Sequence, residues 1–173
     1  MNRSLTQTAR ENSVQGDGTE PEVFGTAVAG VLEAAIGAVG ARFGNVQIFD
    51  ARSGGLEIVV QHGFPNEFLE LFARVTPAGP STSACARAFR AGRRVVVSDV
   101  AADPEFAPYL AMARQCGFRA VQSTPVVLDG RVVGMLSTHF AEVTELAPES
   151  GAVLDRYAAA LARLMEVHGR VGG

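Results

Sequence analysis

The chain has 173 residues, 18 acidic and 15 basic side chains, and a formal net charge of −3. Hydrophobic residues make up 47% and charged residues 19%, enough apolar material for one domain with a real core, which excludes disorder for most of the chain. There is no basic stripe to neutralise phosphates, so nucleic acid is not an expected partner.

Every basic residue is arginine. Without lysine, Schiff-base chemistry and the phosphate-binding lysines of P-loops and kinases are excluded. The two cysteines, Cys85 and Cys116, make no disulfide framework and read as free thiols in a reducing cytoplasm. Met1–Glu20 is polar, lacks the apolar run of a secretory signal, and reads as a disordered tail (1–20) before a single domain (21–173). The most apolar stretch, Val23–Val39, is mostly Ala and Gly and contains Glu33. It is expected to fall short of a membrane helix. The expected location is cytoplasmic, with no membrane partner.

Pro21 opens the first helix. Phe24, Val28, Val31, Leu32, Ala35, Ile36 and Val39 recur on one face of it. Gly25, Gly30 and Gly37 weaken this helix; they either suit close approach by another helix or simply make this one of low propensity. A hairpin follows, Asn45–Asp50 and Leu56–Gln61 around Ser53-Gly54-Gly55. In its first strand Val46 and Ile48 point one way, while Asn45, Gln47 and Phe49 point the other. Pro65–Val75 reads as a short helix. Ser81-Thr82-Ser83 offers caps for another at Ala84–Arg90, ended by Gly92. Arg94–Ser98 is a strand whose three valines look too apolar for an exposed surface. Asp103-Pro104-Glu105 starts a helix that ends at Gly117. Arg119–Leu128 and Arg131–Phe140 form a hairpin around Asp129-Gly130. A final helix follows Pro148, with a broad apolar face from Val153 to His168.

This order predicts an α+β fold. A mainly antiparallel sheet carries the two terminal helices on one face and short helices and loops on the other. His62, His139 and His168 show no metal-ligand spacing, and no nucleophile elbow or dinucleotide loop is present. In the last strand Met135, Ser137 and His139 share a face. Val121 and Ser123 share one in its partner, and Gln122, Ser123 and Gln47 interrupt apolar runs. Buried polar groups need partners, so these residues mark either a pocket with polar anchors or a set of mutual pairs. Cys85 lies near a helix N-terminus, which lowers a thiol pKa, and is expected to be the more reactive cysteine; its alternative is a small buried hydrophobe.

The stretches Gly44–Asp50, Ala84–Ala88, Val96–Val100, Ala102–Pro104, Gly117–Pro125 and Asp129–His139 resemble GAF domains of bacterial sensor kinases. The resemblance covers Val23 to Val167. It implies a PAS/GAF-like architecture with a ligand pocket opposite the terminal helices. The pocket is expected between a sheet face bearing Gln47, Val121, Ser123, Met135, Ser137 and His139 and a lid containing Cys85, Phe106, Tyr109 and Phe118.

Among GAF subfamilies, the phytochrome-like bilin attachment pair aligns with Pro108-Tyr109. The attachment thiol is missing, so no covalent bilin is expected and the cofactor is unknown. The cyclic-nucleotide motif requires a lysine this chain lacks. Free methionine-(R)-sulfoxide reductases resemble it at Cys85, while Cys116 is offset from a second cysteine position. Ser137 and His139 stand where those enzymes carry acids. The expected function is a non-catalytic sensory or regulatory domain in bacterial signal transduction. It would bind a small molecule or a signalling protein and form a homodimer through its terminal helices. The alternatives are a reductase-like enzyme and a dimerisation module without ligand.

Overall fold

The computed structural model describes residues 19–170. The tail reading for residues 1–18 lies outside them. Helix α1 (Glu20–Val39) already includes Glu20. The Thr19 backbone N–H donates to Glu22 Oε2 at 2.8 Å, satisfying one group at the helix entry.

A six-stranded antiparallel sheet follows, ordered β3-β2-β1-β6-β5-β4. Its strands are β1 (Phe43–Asp50), β2 (Gly55–His62), β3 (Arg74–Val75), β4 (Val95–Val97), β5 (Ala120–Leu128) and β6 (Arg131–Phe140). The shorter helices are α2 (Asn66–Leu71), α3 (Ala84–Ala91) and α4 (Leu110–Cys116), preceded by a 3-10 helix at Pro104–Tyr109. Helix α5 (Pro148–Val167) closes the domain. The α+β layering expected from the sequence is borne out.

Strand alternation separates two apolar layers. Val46 and Leu136 join Val28, Leu32, Leu154 and Leu161 beneath α1 and α5. Val121 and Met135 join Phe68, Phe106 and Phe118 beneath the short helices. Ile48 packs with the first layer and Phe49 with the second, as their positions in β1 require. Gly134 lies opposite Ile48 of β1, and a Cβ there would collide with the Gln47 carbonyl. That glycine lets β1 and β6 approach fully.

Several local expectations are corrected. Pro65–Val75 is not one helix: α2 stops at Leu71, and Arg74–Val75 pairs with β2. The Arg74–Glu57 ion pair lies across that short pairing. Val96 is exposed, because β4 is an edge strand with one open face. Gly25, Gly30 and Gly37 do not serve contact with α5; each faces open space. Helix α1 is also long and apolar enough to cross a membrane, with a mean hydropathy of 1.6, contrary to the sequence expectation. Its inner face is committed to the core through Phe24, Val28, Leu32, Ala35 and Ile36.

Gln122 belongs with the helical layer, not with a pocket. Its Nε2 donates to Thr138 Oγ1 at 3.0 Å, and Thr124 Oγ1 donates to its Oε1 at 2.6 Å. Arg94 extends this chain, donating from Nε to Thr124 Oγ1 at 2.9 Å and from Nη2 to Gly151 O at 2.7 Å and to Asp155. The polar row ties β5 and β6 to α5.

Candidate functional site

The second apolar layer holds a cavity between the sheet and the short helices. Gln47, Val121, Ser123, Ser137 and His139 reach it from the sheet, and Cys85, Phe106 and Phe118 from the covering layer. Asn45, Phe68, Phe72, Ser83 and Ala84 complete the wall. Register brings the polar groups together. Asn45 pairs with Ser137, Ser137 with Ser123, and Val121 with His139.

Two expected residues lie elsewhere. Met135 has the right parity but sits further along β6, fully buried in the core opposite Gln47. Tyr109 ends the 3-10 helix and faces an outer groove, where its hydroxyl lies 2.9 Å from Ser81 Oγ. Asn45 was visible in the alternation of β1. Phe68 and Phe72 carried only a helical apolar pattern, which does not say which side chains meet a cavity.

The cavity offers about 30 Å³ to water centres, room for about two waters. Three buried polar atoms on its wall have no hydrogen-bond partner: Asn45 Oδ1, Gln47 Oε1 and His139 Nδ1. Buried polar groups are nearly always paired, and an unpaired one costs about 1–3 kcal/mol. The serine hydroxyls differ: Ser123 and Ser137 bond each other at 2.7 Å.

The cavity is electrically neutral, since no Asp, Glu or Arg is among its lining residues. His139 stands between the rings of Phe64 and Phe118, with centroids at 4.8 and 4.7 Å. Burial drives its pKa down to about 3, so it is uncharged at neutral pH. Burial likewise pushes the Cys85 thiol up, against a smaller opposing effect of Ser83, whose Oγ lies 3.3 Å from Sγ. The expected activation of Cys85 is therefore corrected: desolvation outweighs its place at the start of α3. Cys116 is half-buried, donates to Met112 Sδ at 3.7 Å and does not line the cavity. No cluster of metal-ligating side chains occurs among the described residues.

A GAF domain family model matches residues 24–166. The chain belongs to the GAF domain family. Three solved structures share its fold. A GAF domain/HD domain protein from Geobacter sulfurreducens superposes with a TM-score of 0.68 at 14% identity, over 86% of this chain and 95% of that one. The type II free methionine-R-sulfoxide reductase of Thermoplasma acidophilum gives 0.71 at 15% identity, over 86% and 96%. The blue-light absorbing form of the Thermosynechococcus elongatus PixJ GAF domain gives 0.62 at 17% identity, over 89% of each chain. These identities speak for the fold alone. A comparison with curated proteins finds no match.

Proposed function

We propose that this GAF domain is a sensory or regulatory module that takes a small neutral molecule into its cavity and acts in bacterial signal transduction. One observation carries the reading: Asn45 Oδ1, Gln47 Oε1 and His139 Nδ1 are all unpartnered on one wall. A ligand that satisfies them offsets the cost of burying them, so occupancy stabilises the fold. The neutral lining argues against an ionised guest, whose charge would have no counterpart. The signal leaves through α1 and α5, which rest on the other face of the same sheet. The module works as a cytoplasmic homodimer through those helices, or on a signalling protein that docks there.

Native mass spectrometry of freshly purified protein tests this reading. A small-molecule adduct on the wild type that is absent from Gln47→Leu is the expected result. A bare mass for both proteins contradicts it.

A second reading, thiol-based reduction, is favoured by the place of Cys85 on the cavity wall. Its raised pKa and the absence of acids among the lining residues weigh against it. Turnover of free methionine sulfoxide that disappears in Cys85→Ser would establish it.

A further inference from the structure

A larger groove of about 390 Å³ lies outside the cavity, and Phe72 is a wall of both. On the groove side the Tyr109 ring lies 5.4 Å from that of Phe72. Leu71, Val75, Pro80 and Pro108 give the groove apolar surface, and Thr76, Ser81 and Thr82 give it hydroxyls. Its charged lining residue, Arg74, is engaged by Glu57 at 3.0 Å.

A row of polar groups also joins the two spaces. Tyr109 Oη lies 2.9 Å from Ser81 Oγ, which lies 2.9 Å from Ser83 Oγ, which lies 3.3 Å from Cys85 Sγ. The row begins in the groove and ends in the cavity. Arg90 holds the same loop by donating to the carbonyls of Pro77 and Ser81, both at 2.9 Å. Phe72 and the Tyr109–Ser81 contact stand between a small cavity with a few polar atoms on an otherwise apolar wall and a larger groove that mixes apolar side chains with hydroxyls.

The unpartnered atoms define the chemistry of a guest's head. Asn45 Oδ1 and Gln47 Oε1 accept hydrogen bonds, and the neutral His139 imidazole donates from Nδ1 in one tautomer. A primary carboxamide offers the matching group types, two N–H donors and one carbonyl acceptor. A carboxylate can accept from the Asn45 and Gln47 amide N–H groups, but it brings no donor for the two carbonyl oxygens and meets no cation. An ammonium has donors but meets no anion.

Resting on the ligand-binding reading above, we propose that cavity and groove are two halves of one site, closed here by Phe72. The ligand class is a neutral, elongated primary carboxamide, its head against Asn45, Gln47 and His139 and its apolar body in the groove. Binding requires Phe72 to swing aside, so apparent affinity is reduced by the small population of the open form.

Nuclear magnetic resonance titration tests this, reading the side-chain amide signals of Asn45 and Gln47. The probes are acetamide, which needs only the cavity, hexanamide, which needs both spaces, and hexanoate. The proteins are wild type, Phe72→Leu and Tyr109→Phe. The tyrosine change removes only the hydroxyl contact with Ser81 and keeps the ring, so the test does not depend on Phe72→Leu folding. Removing the closed-state penalty should tighten hexanamide about tenfold in Phe72→Leu. Loss of one hydrogen bond should tighten it about threefold in Tyr109→Phe. Acetamide should bind wild type and Tyr109→Phe alike, and hexanoate should bind none of the three proteins. Hexanamide binding no tighter than acetamide and unmoved by either change overturns the joined site while leaving the cavity reading intact. Hexanoate binding as well as hexanamide overturns the carboxamide assignment. No response to either amide overturns both readings.

Discussion

Ser123 and Ser137 hydrogen-bond to each other through their hydroxyls, 2.7 Å apart, at directly opposed positions of β5 and β6. One hydroxyl donates and the other accepts, so each oxygen has a partner and one O–H of the pair is left to find its own acceptor. The unmet demand lies beside them, on Asn45, Gln47 and His139.

Breaking that pair from one side should therefore cost more than removing it altogether. Ser137→Ala leaves the Ser123 hydroxyl alone and should lower unfolding free energy by about 1 kcal/mol. The double change to alanine should return most of that loss. Urea unfolding of the two single variants and the double variant checks this. Simple additivity would contradict it.

The sequence carried the cavity through strand alternation. The polarity of Ser137 and His139 in β6, and of Gln47 in β1, survives folding because each strand keeps its period between two apolar layers. Tyr109 faces the groove rather than the cavity because its direction depends on the 3-10 geometry around Pro108, which a helical pattern does not disclose. Met135 was misplaced because parity fixes a face but not a depth along the strand. The two-residue β3 was missed because so short a pairing depends on its neighbour β2 and not on its own sequence.

Acid should destabilise the protein through His139. Its folded pKa of about 3 lies below that of an unfolded histidine. The unfolded chain therefore binds the extra proton first. This contribution to stability is complete above about pH 6.5 and is lost as pH falls toward 3, reaching about 2 kcal/mol at pH 5. Asp99 and Asp103, whose pKa values are lowered, lose their contributions only below about pH 4. Urea unfolding at pH 7 and pH 5 should show the loss in wild type and a flatter response in His139→Gln. Equal slopes would contradict the assignment to His139.

Thiol labelling should favour Cys116. Burial pushes both thiols up, and Glu67 adds to the effect at Cys116, but Cys85 is buried whereas Cys116 is only half-buried. Reaction at neutral pH should modify Cys116 about tenfold faster or more, since Cys85 must wait for local opening. Faster modification of Cys85 would mean that the covering layer opens readily.

Gly30 tests the homodimer. A side chain there meets no obstacle within the chain and should favour the helix by about 0.8 kcal/mol. If α1 packs closely on a second copy, the same side chain obstructs that contact. Gly30→Leu should yield a folded monomer by light scattering and circular dichroism where wild type yields a dimer. A wild-type monomer at high concentration would contradict the homodimer.

The most direct test of ligand binding is the electron density inside the cavity of protein crystallised as purified, with nothing added. A bound neutral molecule predicts a feature larger than water within hydrogen-bond distance of Asn45 Oδ1, Gln47 Oε1 and His139 Nδ1. A dry cavity, or two ordered waters that satisfy all three atoms, would contradict it.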